Sequence, residues 1–460
     1  MEKSYFRALA EHFAAASYED FDEETLRQVR RSLVNYLSGS IYTAAHQSCK
    51  ALLEMIRTLD PGGGRASVWA CPEPVQASTA AFSNACRLSS LELNDGAGAS
   101  SHPGIYVWSA VLATYQQYGG AVRDVIRAVV FGYDTASRMA QRSIDRISEL
   151  GLHNPGFVGG LGAAAAAGLL RGLSVDQLVS AFGMTASLLP LCPFCSFVEG
   201  SDAKDLYGGW GVHLAMFAVD AAARGLTGPE TVLKGMKSLD RIFQEDKAEQ
   251  IEFGKPYLIR RLSIKQYPAC FAVNPAVNAV FQMQKKHAID PEQIDSVFVD
   301  SYSYSYDLNE GVGRNPNATS GRLSLYYTVA VALMDGCLTP DAFTEEKLRD
   351  PRYAALRAKI RTGRHDAYGE LPHCVRGCIV EVRMKDGAVF SEEYNAASAN
   401  ASFSDEMLFE RLCALSEGVL DPEKQKALYD FAMTVDRQER LDPMLDALRT
   451  LPIRKQECTQ

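Results

Sequence analysis

From Glu23 to Tyr42, apolar residues return every three or four positions, the period of a helix that buries one face. The same period predicts helices over Gly104–Gly119, Val122–Arg142 and Gly156–Leu170. The last should stop at Arg171-Gly172, where glycine can take the left-handed conformation that ends helices. Ser174 is placed to cap a further helix, "SVDQLVSAFGMTASLL", which Pro190 stops. "GGWGVHLAMFAVDAAARG" reads as an alanine-rich helix closing at Gly225. Alanine and glycine on such faces let helix axes approach closely, so the expectation is a tightly packed bundle.

Beyond Lys255 the pattern changes. Helical segments at Asn274–Lys286 and Arg322–Leu338 now mix with period-two stretches. "IDSVFVDSY" is rich in β-branched residues, and "CIVEVRMKDGAVFSEEY" alternates on both sides of Lys385-Asp386-Gly387, a hairpin signal. From Ser404 onward the helical period returns. The fold class expected is mainly α: a large helical domain over residues 1–255, completed by 404–460, and a smaller α+β lid domain over 256–403. No internal repeat or low-complexity tract interrupts this plan.

Composition narrows the function classes. The chain has 460 residues, 47% hydrophobic and 22% charged, as expected of a globular enzyme of two or three folded units. A net charge of −9 argues against a nucleic-acid partner, since no basic stripe is present to neutralise phosphates. An anionic small molecule is still compatible, because a few cations can set the field of one cleft. The N-terminal stretch "MEKSYFRALAEHFAAASYEDFDEE" reads as an acidic amphipathic helix, not a signal peptide, and no apolar run reaches the ~18 residues of a membrane span. A cytoplasmic location without membrane attachment is the expectation, with the 11 scattered cysteines as free thiols.

Among candidate motifs, Cys192-Pro-Phe-Cys195 has the spacing of a redox dithiol or half a zinc site, but no second pair matches it. Cys374 and Cys378 beside His373 are spaced for neither, so no metal is expected. "GFVGGLG" lacks the order of a nucleotide-binding loop and has no strand before it, so close helix packing explains it better. A different set of polar groups has no evident structural task. "LELNDGAGASSHPG" carries Glu92, Asp95 and His102 into the start of a helix; His153 precedes another in "LGLHNPG". Lys204 stands ahead of a glycine-rich helix, Lys265 ahead of "QYPAC", and Tyr327 inside an apolar helix. Singly, each has an ordinary explanation: a capping histidine, a solvated lysine, a core tyrosine. Recurrence of His and Lys at loops leading into helices changes this, because helix N-termini attract anions and nearby cations would build a polyanion site.

"HPG" before an apolar helix, "GLHNPGFVGGLGAAAAAGLLRGLSVDQLVSAFGMTAS", "AKDLYGGWGVHLAMFAVDAAARGLTGPETVLKG" and "IKQYPAC" together resemble the MmgE/PrpD family, over about residues 5 to 455. That family includes 2-methylcitrate dehydratases, cis-aconitate decarboxylases and iminodisuccinate epimerases. The resemblance implies a helical domain with an α+β lid, a homodimer, no metal or organic cofactor, and a small di- or tricarboxylate substrate. It implies removal of a proton next to a carboxylate, most simply by a lyase, with an epimerase or a catalytically silent carboxylate-binding relative as alternatives. On this resemblance His102 and His153 are acid/base candidates, and Lys204, Lys265 and Tyr327 bind carboxylates or donate a proton. Three positions depart from the decarboxylase pattern: Glu92 replaces an aspartate, Gly96 a threonine and Cys270 a histidine. Glu92, Asp95 and Cys270 are therefore candidates for contacts to a different substrate.

Overall fold

Side chains close the first helices as the sequence suggests. The Asp22 carboxylate accepts from the Thr25 amide, and Ser174 and Gln177 each accept from the other's backbone N–H. The computed structural model describes residues 3–46, 49–98, 101–188, 191–239, 253, 256–365, 376–395 and 403–454. The helices of its first part are α1 (Tyr5–Ala15), α2 (Glu23–Ala45), α3 (Lys50–Leu59), α4 (Ala77–Leu91) and α5 (Pro103–Tyr118). They continue with α6 (Val122–Glu149), α7 (Pro155–Leu170), α8 (Val175–Ser187), the short α9 (Cys195–Val198) and α10 (Ala203–Ala223). Short two-stranded ladders pin the loops between them: β1 (Ala66–Ser67) with β2 (Pro74–Val75), β3 (Asp95–Ala97) with β6 (Leu262–Ile264), and β4 (Leu152–His153) with β5 (Cys192–Pro193).

At the centre runs α7, buried from Pro155 to Gly168 and packed against α5, α6, α8 and α10. The glycines of "GFVGGLG" lie inside this helix, so they serve close packing. The expected Val122–Arg142 helix continues to Glu149, and the expected Gly208–Gly225 helix begins earlier, at Ala203. Lys204 is therefore in the first turn of α10, not ahead of it.

The smaller part contains α11 (Asn274–Lys286), β7 (Ile294–Ser301), α12 (Ser303–Val312), α13 (Leu325–Asp335), α14 (Glu345–Arg349), α15 (Pro351–Lys359), β8 (Ile360–Arg364), β9 (Gly377–Met384) and β10 (Val389–Asn395). Its strands form one sheet in the order β10–β9–β7–β8, antiparallel except for the parallel pair β7–β8. The β9–β10 hairpin turns at Asp386-Gly387. The predicted Arg322–Leu338 helix is split: a 3₁₀ turn covers Ser320–Leu323, and Ser324 then caps α13 by accepting from the Tyr327 amide. The chain closes with α16 (Asp405–Leu415), α17 (Pro422–Met433) and α18 (Asp442–Arg449), which pack back on the first part.

Two apolar cores result. One joins residues from Phe6 to Ile264 with Phe403 to Leu451; the other runs from Ala269 to Tyr394. The architecture is a large helical domain with a smaller α+β domain. A third, smaller cluster holds Cys192, Phe197 and Tyr207 from the first part against Ala272, Tyr302 and Leu323 from the second. The switch of pattern at Lys255 lies outside the described residues, as do His373 and Cys374. Among the described residues no helix is long and apolar enough to cross a membrane.

Candidate active site

The loop between α4 and α5 is held in an unusual path. Glu92, at the end of α4, has φ 56°, and His102, at the start of α5, has φ 45°. Both lie in the left-handed region, which costs a non-glycine residue about 1–2 kcal/mol and persists only where surroundings impose it. Here β3 pairs with β6, setting Asp95 opposite Ile264 and Gly96 opposite Ser263. A side chain at Gly96 would begin 3.0 Å from Ser263 Oγ, so the ladder closes tightly at this position.

Asp95 organises the loop's second half. Its Oδ1 accepts from the Gly104 amide (2.9 Å) and its Oδ2 from the Tyr133 hydroxyl (2.5 Å). Gly104 has no room for a Cβ, which would lie 2.5 Å from Asp95 Oδ2. The Asp95 carbonyl accepts a hydrogen bond from His102 Nδ1 (2.7 Å). A carbonyl only accepts, so Nδ1 carries the proton and Nε2 keeps its lone pair. Burial, reinforced by the Lys265 charge, lowers the His102 pKa to about 3, so the ring is neutral near pH 7. The ring stacks on Phe271, with centroids 5.8 Å apart.

Glu92 points the other way and joins two lysines. Its Oε1 lies 2.5 Å from Lys204 Nζ and its Oε2 2.6 Å from Lys265 Nζ. The lysines are 2% and 1% exposed. Burial opposes ionisation of Glu92, but the two ammonium groups outweigh it and hold the carboxyl well below its usual range. Lys204 is further tied to the Ser89 carbonyl (2.6 Å) and stands 3.3 Å from Asp205 Oδ1. The segment carrying Lys265 is fixed from the far end of the chain: Arg411 of α16 donates to the Lys265 carbonyl, to the Gln266 carbonyl (3.1 Å) and to Asn35 Oδ1 of α2 (3.0 Å).

These groups surround a cavity of about 260 Å³ between the two parts. Glu92, His102, His153, Lys204 and Cys270 line it. Lys265 stands behind the wall and reaches it through Glu92. His153 comes from β4, where it pairs with Cys192, and its ring lies 4.0 Å from that of Phe197. Among the described residues its buried Nδ1 has no hydrogen-bond partner. Burial, with the nearby His102 second, holds its pKa well below the usual histidine value. Burial raises the Cys270 thiol, which is therefore neutral.

Two expected site residues are elsewhere. Tyr327 is fully buried in the core of the smaller domain, where its hydroxyl donates to the Ala342 carbonyl and its ring packs near Phe343. Asp95 turns away from the cavity; with both carboxylate oxygens engaged, it positions His102 rather than substrate. Several cavity residues gave no sequence signal that singled them out: Arg376, Phe271, Phe194, Phe197, Tyr302 and Tyr304. Arg376 lies 4.6 Å from the Phe271 ring and hydrogen-bonds the Tyr302 hydroxyl. The cysteines of the 192–195 pair are free thiols, Cys192 buried and Cys195 exposed.

Residues 7–251 match the MmgE/PrpD N-terminal domain, and residues 267–437 match the MmgE/PrpD C-terminal domain. The chain belongs to the MmgE/PrpD family. Among its relatives, the cis-aconitate decarboxylase of Aspergillus terreus is 21% identical over 401 residues, covering 80% of each chain. The cis-aconitate decarboxylase of Mus musculus is 22% identical over 71% of this chain and 69% of its own. The mitochondrial 2-methylcitrate dehydratase of Yarrowia lipolytica is 23% identical over 59% of this chain and 54% of its own. In this MmgE/PrpD protein the stretch between the two matches, residues 252–266, contains β6 and Lys265, which directly follows it.

Proposed function

We propose that this protein is a lyase that acts on a small carboxylate by removing a proton next to the carboxyl group, using side chains and no cofactor. The observation that carries the reading is His102: a neutral imidazole, fixed in one tautomer by the Asp95 carbonyl, at the wall of a cavity between domains. In a dehydration, Nε2 takes the proton from the carbon beside the carboxylate. The C–H electron pair becomes the new double bond, and hydroxide leaves the neighbouring carbon with a proton from an acid. Lys204 is the candidate acid: burial opposes its charge, but Glu92 and Asp205 outweigh it and keep the ammonium protonated at the cavity wall, while the neutral His153 ring can donate an N–H hydrogen bond to the leaving oxygen. The Lys204 ammonium, held in place by Glu92, lines the same cavity and can donate to a carboxylate or an enolate oxygen there, where a preorganised donor counts most. The lyase names of the relatives support elimination or decarboxylation over epimerisation.

The test is deuterium wash-in from heavy water with citrate, 2-methylcitrate, cis-aconitate and 3-hydroxyhexanoate, read by mass spectrometry alongside product analysis. Exchange or turnover of one of these, lost in His102→Ala, is expected. Saturable binding of a carboxylate with no exchange on any of them would identify a silent relative instead. We also propose a homodimer through the helical domain. Leu206, Trp210 and Phe217 form an exposed stripe at helical spacing on α10, 40%, 51% and 56% exposed, and light scattering at micromolar concentration decides the point.

A further inference from the structure

The geometry points to a substrate with one anchored carboxylate and a hydrocarbon arm, with Glu92 as the residue that sets this preference and Arg376 as the anchor. The inference rests on reading the cavity as a carboxylate site, and it specifies which carboxylates enter. It begins with a count of charges around the cavity. Lys204 and Lys265 would make a cradle for two carboxylates, but Glu92 spans both and Asp205 stands beside Lys204. A third cation, Arg322, faces the same two carboxylates, but it is buried behind the lining, donating to the Pro268 carbonyl and lying over the Phe343 ring, so the lysine charges that reach the cavity are already matched by Glu92 and Asp205. Both histidines are neutral in this setting, and the Cys270 thiol adds no charge.

Among the described residues lining the cavity, Arg376 is the cation without a carboxylate partner. Its contacts are the Phe271 face and the Tyr302 hydroxyl, neither of which neutralises it. A guanidinium in that position can take one carboxylate through paired N–H donors. A second or third carboxylate would be desolvated with no unpaired cation among the described lining residues to meet it, which weakens its binding.

The remaining wall is suited to hydrocarbon. Phe194 and Phe197 stack with centroids 5.3 Å apart, Phe194 meets Tyr304 at 6.4 Å, and Leu152 and Leu323 complete the surface. An alkyl or aryl arm would bury against these rings, while Phe271 sits between His102 and Arg376. His102 and Arg376 both pack on Phe271 and both line the cavity, so an acid anchored at Arg376 shares that cavity with the candidate base. The named relatives act on tricarboxylates; the cavity here fits a less charged, more apolar acid.

Calorimetric titration of the full-length protein with sodium butyrate, hexanoate and citrate tests this. Hexanoate should bind about tenfold more tightly than butyrate, as expected for two more buried methylenes, and citrate should bind most weakly. Citrate tighter than hexanoate, no gain from butyrate to hexanoate, or no saturable binding of any of them at millimolar concentration would each overturn the inference. Glu92→Gln should shift the citrate-to-hexanoate ratio at least tenfold toward citrate by freeing a positive charge; an unchanged ratio removes Glu92 from the argument. Should that variant fail to fold by circular dichroism, Arg376→Gln decides. It should lose hexanoate affinity at least tenfold but keep that for 1-hexanol, whereas equal losses would mean a general collapse of the cavity. These are equilibrium readings, separate from proton exchange. A protein that binds hexanoate but exchanges no proton sinks the lyase proposal alone. One that exchanges protons on a citrate-class acid while rejecting hexanoate sinks this inference alone.

Discussion

Two loops deliver the two histidines, and they are built to different standards. Each runs into a helix through a proline at its start and a glycine beside it: His102-Pro103-Gly104 for α5, His153-Asn154-Pro155-Gly156 for α7. The first loop is tied by side chains at several of its described residues. Glu92 holds two lysines, Asp95 holds Gly104 and Tyr133, and His102 is forced into a left-handed conformation with its Nδ1 committed to a carbonyl. In the second, β4 pairs with β5, the Tyr207 hydroxyl donates to the His153 carbonyl (2.6 Å), and Asn154 Oδ1 accepts from Ser143 Oγ (3.0 Å), while the His153 ring is held by packing on Phe197. Its imidazole Nδ1 has no hydrogen-bond partner among the described residues. A ring with a fixed tautomer suits one direction of proton transfer; a ring without one can change role with the ligand that meets it.

The largest effect should come from breaking the first loop at its chemical end. His102→Gly removes the candidate base, and turnover should fall by ~10²- to 10⁴-fold. Stability should move by no more than about 1 kcal/mol, because relief of the positive φ offsets the lost hydrogen bond and the extra chain entropy. Turnover assays paired with urea melts check this; a large loss of stability would make His102 structural. Next is Glu92→Ala, which leaves two lysines buried without a counter-charge and should cost ~3–5 kcal/mol in a denaturant titration. A loss under about 1 kcal/mol would mean that the lysines relax to solvent, contrary to their burial. His153→Ala should lose about 10²-fold in turnover, at the lower end for a group assisting proton transfer, because aromatic rings pack its imidazole but no hydrogen bond among the described residues fixes its tautomer. A loss equal to that at His102 would erase the distinction between the loops.

How much of this was written plainly in the sequence differs by element. Long helices were legible because their apolar period is local: the predicted Gly156–Leu170 and Gly104–Gly119 helices match α7 and α5 within one residue at each end. Tyr327 misled because a tyrosine in an apolar helix looks the same whether its hydroxyl meets substrate or, as here, the Ala342 carbonyl. Asp95 misled because its partners, Gly104 and Tyr133, depend on how α5 and α6 pack. The pairing of Glu92 with Lys204 and Lys265 spans 112 and 173 positions, and no local pattern encodes a contact at such separation. Arg376 and the ring wall were invisible for the same reason: Phe194 and Tyr304 meet only once the two domains are docked.

The smallest effect is the most direct test of why the first loop is tighter. Burial raises the Asp95 pKa to about 6, against the hydrogen bonds from Tyr133 and Gly104 that favour its charged form. Between the unfolded value near 3.9 and 6, the folded protein holds a proton that the unfolded chain has released. Asp95 therefore contributes stability that is present at the acid end of this window and is lost as pH rises through 6. His102 acts in the opposite sense. Its pKa falls to about 3 on folding, so its contribution is complete above 6.5 and is lost as pH drops toward 3. From pH 4 to 6 the two neighbours partly cancel, and wild-type stability should respond weakly to them. Asp95→Asn removes one side of the balance. Its melting temperature, taken relative to wild type at each pH, should climb by a few degrees from pH 4 to 6.5. The second loop has no carboxylate between Leu150 and Pro155, so His153→Ala should show no such rise. A flat or falling difference for Asp95→Asn would mean that Asp95 is already ionised in the folded loop. In that case its hold on Gly104 and Tyr133, and through them on His102, would be a charged contact rather than a protonated one.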